Sequence, residues 1–371
     1  MVEHRTFNAV VPGSSPGGLT TPDRPSGDGG ADGGSFMSQA PIRLHIQNPI
    51  DGALPEFHAS PAIWDEAAAR HPGLAARLAV SIGWTRADLD AALPQAEILI
   101  AWVATVKETM AALAAAPRLR MIFCTSAGLE RLMPLDWLPT DVALLNNSGA
   151  HSGKAGEWGL MAILMLASKM PLFVTNQRAR IYEKIFSSSV AGTTLVAVGV
   201  GGLARDTLAH ARRFGMRVIG VRGTAAPHPA CERVVSAADI DGVLPEADIL
   251  LLACPLTAAT RNLVDRRRLA LLKPGAGIVN MARGAVIDQD ALCDALEAGH
   301  LGGAVLDVVV PEPLPPDSRV WGTRNLILVP HVSADDPLTY TPRSLDIFFA
   351  NFARWLAGES MPNRIDPARG Y

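Results

Sequence analysis

The stretch "TTLVAVGVGGLARDTLAHARRFG", residues 193–215, constrains the fold of this chain more than any other. It reads as a buried strand, a turn with three glycines and a helix. Glycine weakens a strand interior, so its place at a strand end indicates that another group approaches the backbone closely. The spacing Gly199-x-Gly201-x-x-Ala204 suits a phosphate, because the glycines permit the turn and expose backbone N–H groups while the small third residue lets helix and strand touch.

The helix begins near Leu203, so its positive end would face that phosphate. The predicted phosphate-binding turn of a dinucleotide site consists of Gly199, Gly201, Gly202, Leu203 and Ala204. The alternative is an ordinary glycine-rich turn, since glycine supplies 33 of the 371 residues.

The next strand of this unit indicates which dinucleotide would bind. An NAD site usually places Asp or Glu at the end of this strand, where the carboxylate bonds the ribose 2′-hydroxyl. Here "MRVIGVRG" ends with Arg222, and no acidic residue occurs between Met216 and Glu232. A guanidinium pairs with a 2′-phosphate that a carboxylate would repel, so we predict a preference for NADP(H) over NAD(H). The alternative is that Arg222 stacks on adenine and tolerates either cofactor.

Strand-like and helix-like runs alternate along the chain from Ile42 onward. The first series contains the strands "IRLHIQN", "AEILIAW", "LRMIFCTS" and "VALLNN", with the helical runs "AIWDEAAAR", "VKETMAALAAA" and "LERLM" between them. A long apolar helix, residues 154–170, follows, and a second series runs from Thr193 to His331. Such alternation predicts parallel sheets covered by helices. We therefore predict an α/β chain of two Rossmann-like domains, one flavodoxin-like and one dinucleotide-binding, with a cleft between them.

The predicted boundaries follow from where each series begins and ends. Residues 151–335 form the dinucleotide-binding domain, and residues 41–150 form the substrate-binding domain together with residues 336–371, whose helical pattern is expected to cross back. Residues 1–40 are predicted to be a disordered tail, because residues 11–36 are rich in Gly, Pro and Ser. The change of composition at Met37 favours a protein that starts there.

Composition excludes several function classes. Hydrophobic residues make up 49% of the chain and the net charge is only −3, so a large core forms without bulk attraction to nucleic acid or membrane. No run approaches the roughly 18 apolar residues of a membrane span, and we expect a cytoplasmic protein. The cysteines are far apart and form no CxxC pair, which favours buried thiols over disulfides or a metal site. They are Cys124, Cys231, Cys254 and Cys293.

Three further stretches place a polar residue just after an apolar strand-like run. They are "NMARGAVID", "AVLDVVVPEPLP" and "LILVPHVSA". In open α/β sheets the carboxyl ends of strands face the ligand crevice. We therefore expect Arg283, Glu312 and His331 to converge where a nicotinamide ring would lie.

These motifs resemble those of the D-isomer-specific 2-hydroxyacid dehydrogenases. The resemblance extends from about Ile42 to Tyr371 and rests on the glycine stretch, "LLACPLTAATRNLV", "IVNMARGAVID", "LDVVVPEPLP" and "VPHVSA". The ending "NRIDPARGY" is similar to a subgroup close to glyoxylate/hydroxypyruvate reductases. The resemblance implies reversible NAD(P)-dependent reduction of a small 2-oxo acid to a D-2-hydroxy acid, in a homodimer formed through the helix at residues 154–170.

The resemblance also implies the catalytic roles. Arg283 would hold the substrate carboxylate and 2-oxo oxygen, a task suited to a planar fork of donors. His331 would be the general acid that protonates this oxygen as hydride arrives at C2. Glu312 would be its carboxylate partner, whose charge raises the pKa of His331.

Further contacts follow from the same resemblance. Backbone amides of the "TSAGLERL" loop would hold the substrate carboxylate, and the "ACPLT" loop would lie beside the ribose and nicotinamide. The implied substrate contacts are Ser126, Ala127, Gly128 and Arg283, with Trp102 as a wall of the pocket. The implied cofactor contacts are Pro255, Thr257, Ala282 and Asp307, the last on the nicotinamide carboxamide.

Each of these residues has a structural alternative. Arg283 could be a surface arginine, Glu312 a solvated turn residue and His331 a satisfied histidine at a strand end. Trp102 could belong to the core and Asp307 could be a cap. Three further residues are candidates for the crevice: His151 as the best rival to His331, and Tyr340 and Arg343, which could instead form a dimer contact.

Two other functions compete with a 2-oxo acid reductase. One is a formate- or phosphite-oxidising dehydrogenase of the wider superfamily. The other is a non-catalytic protein that senses nucleotides. The presence of Arg283, Glu312 and His331 argues against the sensor.

Overall fold

The computed structural model describes residues 40–50, 52 and 54–367. This part of the chain folds into α-helices and two parallel β-sheets, which confirms the predicted α/β class. The predicted disorder of the N-terminal tail and the start at Met37 fall on residues outside those described.

The first sheet is built from the N-terminal part of the chain. Its strands are β1 (Ile42–Gln47), β2 (Leu78–Gly83), β3 (Ile98–Ala101), β4 (Met121–Cys124) and β5 (Ala143–Leu145). They are parallel in the order β2-β1-β3-β4-β5, which is the flavodoxin-like order. The helices along this series are α1 (Pro61–Arg70), α2 (Pro72–Ala75), α3 (Arg86–Ala92), α4 (Val103–Glu108) and α5 (Met110–Ala114).

The second sheet follows two helices that leave the first, α6 (Ser152–Ala167) and α7 (Met170–Arg178). Its strands are β6 (Thr194–Val198), β7 (Arg217–Arg222), β8 (Arg233–Ser236), β9 (Ile249–Leu252), β10 (Gly277–Asn280), β11 (Gly303–Leu306) and β12 (Leu326–Leu328). The order β12-β11-β10-β9-β6-β7-β8 is that of a doubly wound dinucleotide-binding sheet with one added strand. The remaining helices are α8 (Arg205–Arg213), α9 (Arg266–Leu271), α10 (Gln289–Glu297) and α11 (Tyr340–Leu356).

The inner strands β3, β4, β6, β9 and β10 are buried on both faces, as parallel strands covered by helices must be. The last helix, α11, packs against the first sheet through aromatic side chains. Phe348 lies edge-on to Phe123 of β4 and stacks on Phe352. Beyond the helix, Arg364 forms a bridge with Leu145 of β5. The C-terminal segment therefore completes the core of the first sheet.

Each sheet has one point where successive strands run to opposite sides, and crevices form at the carboxyl ends there. In the first sheet this point lies between β1 and β3, and in the second it lies between β6 and β9. Trp102 follows β3, Gly199 follows β6 and Ala253 follows β9. These residues therefore lie at the edges where ligands bind in such sheets.

One predicted helix divides in two. The pattern of residues 106–116 predicts a continuous helix, yet α4 ends at Glu108 and α5 begins at Met110. Between them, the Thr109 hydroxyl donates a 2.6 Å hydrogen bond to the carbonyl of Thr105. Threonine competes in this way with the backbone ladder and bends helices, which is the physical reason for the break.

Within the described residues, no single helix has the length and apolar character of a membrane span. Taken together, α6 and α7 reach that length, but the chain bends by 65° between them.

Candidate active site

The glycine turn lies at the crevice of the second sheet. Gly199 has a φ of +93°, and its N–H donates to the carbonyl of Val221 on β7 at 2.8 Å. A Cβ at Gly199 would lie 2.5 Å from the carbonyl oxygen of Ala253 and 2.7 Å from the nitrogen of Cys254. Gly199 is thus required for two reasons: the turn needs its positive φ, and the backbone just after β9 leaves no room for a side chain.

The next part of this turn provides room for an anion. A Cβ at Gly201 would meet no atom of the described residues within 4 Å. Among the described residues, no acceptor bonds the backbone N–H groups of residues 200–203, which precede α8. Free N–H groups at a helix N-terminus attract phosphate, and the buried, small Ala204 lets the helix approach β6. The turn therefore fits the pyrophosphate of a dinucleotide.

Arg222 is the last residue of β7 and is exposed. No carboxylate in the described part of the chain is paired with it, whereas Arg217, at the start of the same strand, pairs with Glu232. The pKa of His228 is lowered by burial and by the charge of Arg222, so this histidine lies near the guanidinium. Arg222 is consequently a free cation at the strand end that meets the adenosine ribose in such folds.

The "ACPLT" loop lies beside the glycine turn, because β9 pairs with β6. Thr260 organises this loop, since its hydroxyl accepts from the N–H of Thr257 at 2.8 Å and donates to the carbonyl of Pro255 at 2.7 Å. Ala282, which follows β10, is buried next to Arg283.

His331 and Glu312 form a pair near the carboxyl ends of β12 and β11. The Nδ1 of His331 lies 2.8 Å from Oε2 of Glu312, while Oε1 accepts from the N–H of Val309 at 3.1 Å. The hydrogen bond that His331 donates to Glu312 raises the pKa of His331 above its ordinary value, although burial opposes this. Burial would raise the pKa of Glu312, but the bond with His331 brings it below its usual value. The ring is therefore oriented with Nε2 free for proton transfer.

Asp307 holds the segment that carries His331. Its Oδ1 accepts from the N–H groups of Val332 and Ser333 at 2.8 and 2.9 Å, and its Oδ2 accepts from the Ser333 hydroxyl at 2.6 Å. His331 itself has a φ of +56°, an uncommon conformation for a residue with a side chain. Such conformations persist where surrounding bonds over-determine them, and they cluster at functional sites. A carboxylate accepts about four hydrogen bonds, so Asp307 retains capacity for the amide predicted to bind there.

Arg283 projects from the end of β10 toward the first sheet. Its Nε donates to Oε1 of Glu130 at 2.5 Å, and its Nη1 donates to the carbonyl of Ala282 at 2.7 Å. The Nη2 lies so close to Gly128 that a Cβ there would be 1.9 Å from it. Gly128 is therefore needed for this arginine to reach the loop after β4.

A cavity of about 530 Å³ opens between the strand ends of the two sheets. Nine of the predicted site residues line it: Trp102, Ser126, Ala127, Gly128, Leu203, Arg283, Asp307, Glu312 and His331. The other predicted cofactor contacts do not line this cavity: Gly199, Gly201, Gly202, Ala204, Arg222, Pro255, Thr257 and Ala282. Most of these lie along the crevice of the second sheet, as a cofactor extended from adenosine to nicotinamide would require.

Sequence reasoning did not single out Glu130, the partner of Arg283. Its position in the "TSAGLERL" loop, which the resemblance implies to bind the substrate carboxylate, is the sequence feature that could have indicated it. Burial would raise the pKa of Glu130, but the charge and hydrogen bond of Arg283 hold it below its usual value.

His151 and Tyr340, two of the crevice candidates, also line the cavity. Their ring centroids are 4.7 Å apart, and the Nδ1 of His151 lies 3.1 Å from the carbonyl oxygen of Ala334. Burial lowers the pKa of His151, in contrast to that of His331. Arg343 is not among the cavity residues and packs against Gly153 of α6.

The fold and site define the class of this protein, a nicotinamide-dependent α/β dehydrogenase. Comparison with known sequences identifies the family. The profile of the D-isomer specific 2-hydroxyacid dehydrogenase NAD binding domain matches residues 160–333. A glyoxylate/hydroxypyruvate reductase B from Pectobacterium carotovorum subsp. carotovorum is 31% identical over 259 residues, which are 68% of this chain and 80% of that protein. The chain belongs to the D-isomer specific 2-hydroxyacid dehydrogenase family, as its motifs predict.

Members of the family with other names are equally similar. A (S)-sulfolactate dehydrogenase from Chromohalobacter salexigens is 34% identical over 226 residues, covering 60% of this chain and 72% of that protein. A D-3-phosphoglycerate dehydrogenase from Mycobacterium leprae is 30% identical over 294 residues, 77% of this chain, but the match spans only 55% of its own length.

A solved structure of the family has the same fold. It is a D-isomer specific 2-hydroxyacid dehydrogenase from Xanthobacter autotrophicus Py2 in complex with NADPH and MES. It is 27% identical to this chain and matches it with a TM-score of 0.74 over 90% of this chain and 100% of that one.

Proposed function

We propose that this protein reduces a small 2-oxo acid, of the size of glyoxylate or hydroxypyruvate, to the D-2-hydroxy acid with NADPH as hydride donor. The observation that carries the proposal is that Arg283 and the His331–Glu312 pair open onto one cavity. A cation for the carboxylate and an acid for the new hydroxyl are the two groups this reduction needs from the protein.

Substrate binding would use the loop after β4 together with Arg283. The N–H groups of residues 126–128 have no acceptor among the described residues, and this loop lines the cavity. Of the five N–H donors of Arg283, one bonds Glu130 and one bonds Ala282, which leaves three. These donors would hold the carboxylate and polarise the 2-oxo oxygen.

Proton transfer would use Nε2 of His331. Because Nδ1–H is bound to Glu312, the imidazolium carries its second proton on Nε2, which has no partner in the described part of the chain. A cofactor bound in the crevice of the second sheet would supply the hydride to C2. As the carbonyl π electrons move to oxygen, the proton on Nε2 passes to that oxygen, and His331 becomes neutral. Glu312 stabilises the charged ring beforehand, as its effect on the pKa indicates.

The preference for NADP(H) rests on Arg222. The guanidinium at the end of β7 matches a 2′-phosphate, and the stretch between Met216 and Glu232 contains no carboxylate that could bind the 2′-hydroxyl of NAD. The relative solved with NADPH supports the same cofactor. Stacking of Arg222 on adenine, with tolerance of both cofactors, is the competing interpretation.

The substrate class rests on the relatives and on the cavity. The relative named glyoxylate/hydroxypyruvate reductase B supports a two- or three-carbon 2-oxo acid, while others are named for sulfolactate and phosphoglycerate. The cavity of about 530 Å³ provides ample room for such an acid beside the nicotinamide.

Residues 41–150 with 336–371 would bind substrate, and residues 151–335 would bind cofactor, in a cytoplasmic homodimer. The dimer is supported by exposed apolar side chains on α6 and on the segment after α7, where Met161, Tyr182 and Phe186 are 44%, 97% and 86% exposed. Light scattering of the purified protein measures this directly, and a monomer at micromolar concentration would refute it.

The decisive assay follows NADPH oxidation at 340 nm with glyoxylate, hydroxypyruvate, pyruvate and a bulky 2-oxo acid, and repeats each reaction with NADH. We expect turnover of at least one small acid, a D product, and a higher kcat/KM with NADPH. Arg283→Ala should raise KM and lower kcat together. An exposed arginine outside the site, Arg86, provides the matched control as Arg86→Ala.

Failure to reduce any of the four acids with either cofactor would refute the proposal. Tight NADPH binding without turnover would then favour the nucleotide-sensing alternative, and formate or phosphite oxidation would favour the other dehydrogenase.

A further inference from the structure

Glu130 connects the two sheets across the proposed active site. It lies in the loop after β4, 153 residues from Arg283 in sequence, and its Oε1 accepts from the Nε of that arginine at 2.5 Å. Both side chains are about 30% exposed, and both line the cavity. The pair is therefore inside the site rather than on the outer surface.

This contact fixes the direction of the guanidinium. Glu130 holds Nε and the carbonyl of Ala282 holds Nη1, so the planar group is bound on two sides. A guanidinium tied at two points cannot rotate about its long side chain, and less entropy is lost when a ligand binds. The three donors left on Nη1 and Nη2 are available to one carboxylate with its adjacent oxo group.

The contact also changes the charge available to a ligand. Two arginines line the cavity, Arg131 and Arg283, and one of them is already paired. Four carboxyl groups line it as well: Glu130, Asp307, Glu312 and Asp335. The pKa of Asp335 is raised by burial, and the three other carboxylates balance Arg131, Arg283 and the protonated His331, so the cavity has no excess of positive charge. A second negative group on a substrate would therefore meet the carboxylate of Glu130 beside the guanidinium that holds the first, and would be repelled by it.

We infer that Glu130 is a positioning and specificity-determining residue, which orients Arg283 for a single carboxylate and restricts the site to 2-oxo acids that carry no second anionic group. The inference rests on the proposed function and deepens it. Acids with a second carboxylate, a phosphate or a sulfonate are excluded, and acids with a hydrogen, methyl or hydroxymethyl group beside the oxo carbon are accepted.

The first test measures ligand charge without turnover. D-glycerate carries one carboxylate and D-malate carries two, and neither reacts in the presence of NADPH. We expect calorimetric titration of the protein saturated with NADPH to give at least tenfold tighter binding of D-glycerate. The kinetic counterpart is the ratio of kcat/KM for hydroxypyruvate to that for oxaloacetate, which should also be at least tenfold.

Two variants distinguish the effect of the charge of Glu130 from the effect of its side-chain length. Glu130→Gln keeps the length but removes the charge, so the preference for the monoanion should fall at least threefold, with a higher KM for hydroxypyruvate. Glu130→Asp keeps the charge but shortens the side chain, so both ligands should bind more weakly while the preference stays. The KM for NADPH should not change in either variant, a result that general unfolding would not produce. Asp90→Asn, in an exposed ion pair on α3, serves as the surface control.

The outcomes distinguish the two proposals. Equal binding and turnover of monoanions and dianions by the wild-type protein would overturn the role of Glu130 and leave the reductase intact. An unchanged preference in Glu130→Gln would overturn it as well. Absence of both binding and turnover for every acid would overturn the reductase, and the role of Glu130 with it.

Discussion

The Nδ1 of His331 lies 2.8 Å from Oε2 of Glu312, although the two residues are 19 positions apart in the chain. Each follows a strand of the second sheet, so their meeting depends on β11 and β12 being neighbours. The carboxylate orients the ring, raises its pKa and leaves Nε2 free. These are the properties of a general acid near neutral pH.

Replacement of His331 by alanine should lower kcat for 2-oxo acid reduction by about 10²- to 10⁴-fold, the usual contribution of a general acid. The affinity for NADPH should change little, because only the proton donor is removed. Steady-state kinetics and a fluorescence titration with NADPH measure the two quantities. His300, which bonds the carbonyl of Leu269 outside the cavity, is the control histidine. Full turnover in His331→Ala would reject the assignment.

The pH dependence of reduction should move in Glu312→Gln. In the proposed mechanism the protonated ring is the active form, so kcat/KM for the 2-oxo acid should be full at low pH and should fall as pH rises through the pKa of His331. Glu312 raises that pKa, so its loss should shift the fall to lower pH. Profiles of kcat/KM from pH 5 to 9 for both proteins test the shift, and superimposable profiles would contradict it.

Gly199→Ala should destabilise the fold, whereas Gly201→Ala should not. The alanine at 199 would need a φ of +93° and would lie 2.5 Å from a backbone carbonyl oxygen, at a cost of about 1–3 kcal/mol in the free energy of unfolding. The methyl group of alanine at 201 would meet no atom of the described chain within 4 Å and should instead weaken NADPH binding. Urea denaturation and NADPH titration separate the two effects. If both variants were equally stable, close packing against the backbone after β9 would be rejected as the reason for glycine at position 199.

Arg222→Ser should lower kcat/KM for NADPH by about tenfold to a hundredfold, as expected for the loss of hydrogen bonds to a charged group. The value for NADH should change less than threefold, since NADH has no 2′-phosphate. Arg217→Ser is the matched control. Arg217 lies at the other end of β7, away from the proposed ribose site, and pairs with Glu232. A parallel loss with both cofactors would favour stacking of Arg222 on adenine.

Much of the fold could be predicted because its signals are local. The apolar runs "LVAV" and "ILLL" form the buried strands β6 and β9, and the helical pattern after Gly201 forms α8. The strand β2, "LAVSIG", was not predicted, because it lies at the edge of its sheet with only one residue fully buried. The run "LERLM" was predicted as a helix but forms a single 3-10 turn at Glu130–Leu132, since three residues with Met133–Pro134 beyond them cannot extend a helix.

The sequence by itself determined the α/β class, the glycine turn and the residue types at the strand ends, because these depend on neighbours within a few positions. The contact of Glu130 with Arg283, and the cavity that both line, were decided only by the tertiary structure. Two loops that follow strands of different sheets meet there. The local pattern of apolar and polar residues cannot predict a contact between residues 153 positions apart. The charge that a ligand meets in the cleft is therefore a property of the folded chain alone.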